Sequence, residues 1–507
     1  MKLAILIGLV WATTALVSVS SAQQISIAAN SELNSFTYFE QASSPGQLSN
    51  SSQTDEQISS AVDAYVEGQR REQHIPGIAM AVIRDGRLLK ARGYGLANVE
   101  LDVPVKPETI FQTGSVGKQF TATGVMMLVE EGKIGLDEKI TKYIPESPAA
   151  WKDVTVRNLL THTSGIADYG GDVGPLGGGV VDLRKDYTEN ELVLAFAKLP
   201  MDFAPSEKWS YSNTGYVLLG IIIGRITGKY YGDFLQERIF RPLDMTSTRI
   251  ISEADIVPNR SSGYELVNGE IKNQQWVSPT FNTTADGSLY TNVLDLAKWD
   301  VALDTKRLLK KSSFDQMWTP VILSDGKPFP YGFGWRIKEV NGHRVIEHSG
   351  SWQGFATQIS RYDEDRLTVV VLTNLDSSHS APLAIAHIVA SYYVPAVGAG
   401  AVKPIADKEP QVTALVRSAL ADLTAGHANL SSVSPDSQKD WVPERIHGLS
   451  ELLKSLGKLK SIDLIERKQD GSSCDYKYLA VFNSRTIVVN LTLGRDGLID
   501  GFQILSW

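Results

Sequence analysis

The order of strand-rich and helical segments constrains this chain most. Residues 78–95 read "IAMAVIRDGRLLKARGYG", two β-type runs around Asp85-Gly86, a hairpin turn signal. Matching runs return only at 332–374, as "GFGWRIKEV", "HRVIEHSG", "FATQISRY" and "LTVVVLTN". The stretch between them is mostly helical in pattern. That order predicts an α/β (α+β) domain: an antiparallel sheet assembled from both ends, flanked by helices, with a mostly helical insertion.

The flanks read differently. Lys2, the apolar run "LAILIGLVWATTALVSV" and Ser20-Ser21-Ala22 form a secretory signal pattern over 1–22, with cleavage expected after Ala22. An uncleaved anchor is the alternative, because the run is nearly long enough to span a bilayer. "VLLGIII" at 217–223 is too short to span. The expectation is an exported protein, periplasmic or secreted. Residues 23–52, rich in Ser, Asn and Gln, read as a disordered lead-in. A helix is expected over 54–72, with Ile58, Val62 and Val66 at four-residue spacing. The main domain then runs from 53 to 395. The Pro/Gly/Ala-rich stretch 394–410 reads as a linker. Beyond it, 411–457 reads as helices and 460–507 as strands turning at Asp470-Gly471 and Asp496-Gly497. This is a small C-terminal α+β domain whose element order resembles NTF2-like folds.

A net charge of -8 argues against a nucleic-acid partner, which calls for a clustered basic surface. The one cysteine, Cys474, excludes an intramolecular disulfide and a Cys-rich metal site. His343, Glu347 and His348 do not form the helical H-E-x-x-H zinc pattern. Neither metal nor cofactor is expected.

The chemistry concentrates in "GSVGKQF", 114–120. A phosphate-binding loop would need Gly five residues before Gly117 and Ser or Thr after Lys118; Gln112 and Gln119 stand there. The apolar run after it, until Gly132, predicts a buried helix started by Thr113 or Ser115. Ser115 and Lys118 then share a face, about 5–6 Å apart at Cβ. A serine hydroxyl needs a base to become a nucleophile, and a desolvated lysine can be one. The competing reading is a capping serine and a solvated lysine. Ser324-Asp-Gly-Lys327 and Ser455-Leu-Gly-Lys458 repeat the spacing, but read as a surface turn and a helix end.

Two further elements follow in order: Tyr211-Ser-Asn213 before an apolar helical run, and His348-Ser-Gly350 at a strand end before "SWQGF". Ser-x-x-Lys, Tyr-x-Asn and a Lys/His-Ser/Thr-Gly triplet make up the three-part signature of penicillin-binding proteins and β-lactamases. Over 55–395 the chain resembles the class C branch of that fold, with its D-aminopeptidases and esterases. "LLTHTSGI", "YSNTGYVLLG", "ERIFRPLDMTST" and "YGFGW" carry the likeness. The resemblance implies Ser115 as acylated nucleophile, Lys118 as its proton acceptor and Tyr211 as proton shuttle. It sets a small-molecule or peptide substrate against Asn213, His348, Ser349, Gly350 and Ser351, with the backbone N–H groups of Ser115 and Ser351 as oxyanion hole.

A second Tyr-x-Asn, Tyr290-Thr-Asn292, reads as a helix start instead. His162 in "LLTHTSGI" reads as a structural histidine bracing a loop at the site, and the Gly-rich stretch 170–181 as a mobile loop beside it. The Gly-x-Ser-x-Gly elbow of other hydrolases is absent from the sequence. His348 stands where β-lactamases carry Lys. It should be mostly neutral at pH 7, attract a substrate carboxylate less, and be able to move protons near pH 7. The expectation is therefore an exported serine hydrolase acting on esters or D-aminoacyl amides. A β-lactamase or DD-carboxypeptidase, or a penicillin-sensing module without turnover, are the alternatives. The C-terminal domain is open to substrate restriction, dimerisation or docking to the cell envelope.

Overall fold

A computed structural model describes residues 54–170, 181–250, 254–279, 281–398, 403–471, 473–483 and 486–506. The signal pattern, the lead-in and the Gly-rich stretch lie outside the described residues, save for the last one's two end residues. Helix α1, Asp55–Glu72, starts at a capping box in which Thr54 and Gln57 bond reciprocally.

Seven strands form the central antiparallel sheet: β1 (Gly77–Arg84), β2 (Arg87–Asn98), β3 (Val103–Pro104), β4 (Arg336–Val340), β5 (His343–Trp352), β6 (Phe355–Tyr362) and β7 (Leu367–Thr373). Their order is β4-β5-β6-β7-β1-β2-β3, so the two ends of the domain meet where β7 pairs with β1. Asp85 and Gly86 both take positive φ in the β1–β2 turn, as a two-residue hairpin requires.

Alternation along β1 explains why both faces are covered. Ala79, Ala81 and Ile83 join the larger core with the inserted helices. Ile78, Met80 and Val82 face the opposite way, into a second core with Val62 and Val66 of α1 and Ile385 and Val389 of the helix Pro382–Tyr393. The insertion supplies α2 (Lys118–Glu130), α3 (Asn213–Thr227) and α4 (Val293–Asp304), each packed against the sheet or its neighbours.

The helix carrying Lys118 begins later than the sequence suggests. Gly114–Gly117 forms a 3₁₀ turn, and neither Thr113 nor Ser115 caps α2. Their hydroxyls are engaged elsewhere: Thr113 donates to the Leu289 carbonyl, and Ser115 pairs with Lys118. At the other end Gly132, with φ 71°, stops the helix.

The C-terminal residues form a four-stranded antiparallel sheet from Leu459 to Ser506, with helices Pro410–Thr424 and Pro443–Ser455 against it. Its hydrophobic cluster draws only on residues 412–504, Val416, Leu453, Tyr478 and Val489 among them. The expected linker is shorter than its composition implies. Pro410 opens a helix, and the Ile405 amide donates to the Leu464 carbonyl.

Candidate active site

Three close backbone approaches hold the nucleophile turn. A Cβ on Gly350 would sit 1.8 Å from the Thr113 carbonyl oxygen, and one on Gly114 would sit 2.6–2.7 Å from the Ser351 peptide. β5 therefore runs flush against the turn, and only glycine permits that contact. On the far side, a Cβ on Gly287 would lie 3.2 Å from Gly114. The backbone of Ser351 is thereby held beside Ser115.

Lys118 is fully buried. Its Nζ lies 2.8 Å from Ser115 Oγ, 2.8 Å from Asn213 Oδ1 and 2.6 Å from the Asp286 carbonyl oxygen. The Tyr211 and Tyr216 rings stand 4.9 and 5.4 Å from it. The Tyr211 hydroxyl is buried and has no hydrogen-bond partner among the described residues. A buried, unpartnered hydroxyl is costly unless a ligand completes it.

His162 holds the segment carrying Tyr211 and Asn213. Its Nδ1 accepts from the Ser212 amide at 3.1 Å, its carbonyl accepts from the Ser210 amide, and its ring lies tilted against that of Tyr211, centroids 4.2 Å apart. His162 has a positive φ of 59°, unusual for a residue with a side chain. Nε2 of His162 lies 3.1 Å from the Tyr331 hydroxyl, which lies 2.8 Å from His348 Nε2. His348 Nδ1 donates to the Ser349 carbonyl at 2.6 Å.

His348 corrects one expectation. It is almost fully buried, and burial, with Lys118 nearby, pushes its pKa down to about 3. It is neutral at pH 7, as expected, but cannot move protons near that pH. Its ring lies beneath the strand, while Ser349 and Ser351 alternate outward and are exposed.

Two carboxylates escaped the sequence reading. Asp168 accepts from the Asn213 amide at 3.0 Å and from Asn213 Nδ2 at 3.2 Å. Burial, then the neighbouring Asp286, raises its pKa. Asp286 accepts from the Tyr169 hydroxyl at 2.7 Å, while its buried Oδ1 has no partner among the described residues. Neither follows from spacing, since Asp286 is 118 positions from Asp168 in the chain. Tyr331 was visible only as part of "YGFGW".

The other candidates fall away from this cluster. Asn292 caps α4, its side chain accepting from the Asp295 amide at 2.9 Å. Lys327 is exposed, and its ammonium lies 3.6 Å from Asp325. Among the described residues no group of three or more His, Cys, Asp or Glu could hold a metal.

A buried lysine beside a serine hydroxyl, with backbone amides nearby, can drive acyl transfer through an ester of that serine. A family model for Beta-lactamase matches residues 62–393. Penicillin-binding protein 4* of Bacillus subtilis (strain 168) is 31% identical over 317 residues, 60% of this chain and 69% of that protein. A D-aminopeptidase of Gluconobacter oxydans (strain 621H) is 30% identical over 323 residues, 62% of this chain but only 58% of its own length. Among solved structures, an octameric penicillin-binding protein homologue from Pyrococcus abyssi is similar with a TM-score of 0.58, at 25% identity over 88% of this chain and 99% of that one. A D-stereospecific amidohydrolase from Streptomyces sp. gives 0.54 at 28% identity, covering 62% and 94%. With a family match over 62–393, which holds the whole cluster around Ser115, the chain belongs to the Beta-lactamase family and is one of its serine hydrolases.

Proposed function

We propose that the protein is an exported hydrolase that forms an acyl-enzyme at Ser115 and acts on uncharged or amino-terminal acyl donors, short esters or D-aminoacyl amides. The hydrogen-bond inventory of Lys118 carries this reading. In its amine form a lysine has two N–H donors and one lone pair. Asp286 O and Asn213 Oδ1 can only accept, so they take the two hydrogens. The lone pair is left for the Ser115 hydroxyl at 2.8 Å. Ser115 Oγ then attacks the acyl carbon as its proton passes to Lys118. The tetrahedral oxyanion is held by the amides of Ser115 and Ser351. Tyr211, whose hydroxyl has no partner among the described residues, passes a proton to the leaving group and then assists the water that releases the acyl group.

Substrate preference rests on charge. His348 is neutral, and the carboxylate of Asp168 lies beside Asn213, with that of Asp286 close to it. Both disfavour a substrate carboxylate and favour an ammonium. The names of the D-aminopeptidase and D-stereospecific amidohydrolase relatives support a D-configured donor.

The test is kcat/KM over p-nitrophenyl esters, D-aminoacyl anilides, a D-Ala-D-Ala peptide and a chromogenic cephalosporin. Esters or D-aminoacyl anilides should lead, and Ser115→Ala should lose several powers of ten, about 10³ or more. A cephalosporin turned over fastest would make the protein a β-lactamase instead.

A further inference from the structure

We propose that Tyr331 is a positioning residue, the centre of a one-way, uncharged hydrogen-bond chain that ties the segment bearing Tyr211 and Asn213 to the strand bearing Ser349–Ser351. The chain is Ser212 N–H, His162, Tyr331, His348 and the Ser349 carbonyl.

Its direction is fixed from both ends. A backbone amide can only donate, so Nδ1 of His162 is bare and its proton sits on Nε2, which donates to the Tyr331 oxygen. A carbonyl can only accept, so His348 carries its proton on Nδ1 and its Nε2 is bare. One hydroxyl remains between a donor and an acceptor, and Tyr331 fills both roles. The two outer contacts were free to demand conflicting tautomers, and they do not.

All three side chains are almost fully buried. Protonating His348 would turn Nε2 into a second donor aimed at the Tyr331 oxygen and take away the acceptor on the strand side, leaving the tyrosine hydrogen only the neighbouring Tyr216 hydroxyl. The surroundings oppose that charge. Lys118 and Arg336 act against it, Glu347 favours it, and Tyr211 and Tyr216 are the other titratable groups facing the chain. The His162 ring in turn packs, tilted, against that of Tyr211, so the chain sets where the Tyr211 hydroxyl stands.

The inference deepens the proposed function through its kinetic arm, while its spectroscopic arm stands without it. Full-length protein labelled with ¹⁵N in histidine side chains reports each tautomer by NMR. His348 should appear protonated at Nδ1 and His162 at Nε2, and neither should titrate in the ordinary histidine range near pH 6.5. In Tyr331→Phe, His348 should begin to titrate at higher pH, and kcat for p-nitrophenyl acetate should gain an acid limb. At pH 7.5 that kcat should fall about tenfold with KM within about twofold, the loss expected of one broken buried hydrogen bond. A His348 protonated at Nε2 would overturn the chain, as would wild-type titration near pH 6.5 or an unchanged pH profile in Tyr331→Phe. If that variant fails to fold, the wild-type spectra still decide. Absence of ester turnover would count against the proposed substrate and leave the chain standing.

Discussion

The carbonyl oxygen of Asp286 lies 2.6 Å from Lys118 Nζ, closer than either Ser115 Oγ or Asn213 Oδ1, both at 2.8 Å. A backbone acceptor binds a lysine hydrogen without the full charge that would hold the lysine as an ammonium. Asn213 does the same with an amide. Asn213→Asp would place a carboxylate there, favour the ammonium form and disable the base. At pH 7.5 kcat should fall about tenfold or more. Steady-state kinetics of wild type against Asn213→Asp check this.

Tyr211 and Tyr290 should separate activity from stability. The Tyr211 hydroxyl has no partner to lose among the described residues, so Tyr211→Phe should leave Tm unchanged or slightly raised while kcat falls about a hundredfold or more. Tyr290→Phe lies off the cluster, buried on the short strand that pairs with Phe111 and Gln112, and should keep kcat within about threefold, with any change confined to Tm. Steady-state kinetics and thermal melts of the two variants give both readouts.

Two glycines should respond with opposite signs. Gly350→Ala drives a methyl into the Thr113 carbonyl and Thr357 Oγ1, costing about 1–3 kcal/mol and displacing the turn that holds Ser115. Gly68 lies exposed inside α1, where an added Cβ would meet nothing within 4 Å, so Gly68→Ala should stabilise by about 1 kcal/mol. Urea unfolding of both variants measures the contrast.

Stability should fall as pH drops from 6.5. The folded pKa of His348, about 3, lies below the ordinary histidine value of 6.5, so the unfolded chain binds more protons between the two. The contribution is fully present above pH 6.5 and is lost as pH falls, about 2 kcal/mol of it by pH 5. His162, also held well below its usual value by burial, adds in the same direction. Glu347 is a carboxylate held below its usual range, so its loss comes only under about pH 4.5. Urea titrations between pH 5 and 7 should therefore show a shallower slope for His348→Gln than for wild type.

The local parts of this protein were legible in its sequence. Runs of β-type residues gave the strands that meet as β1 and β7, turn chemistry gave Asp85-Gly86, and the apolar run after Lys118 gave a buried helix. Such signals depend on residues two to four positions apart, and backbone geometry imposes them wherever the chain sits. Spacing also put Ser115 and Lys118 on one face, and a three-part signature selected Tyr211, Asn213 and His348. The surroundings of those residues were decided only by tertiary packing. Asp286 reaches Lys118 across 168 positions, and Tyr331 reaches His162 across 169. The protonation of His348 likewise depends on depth of burial and on Lys118, 230 positions earlier in the chain. Solvation and charge act through space, and a one-dimensional pattern does not record which distant polar groups a fold will enclose together.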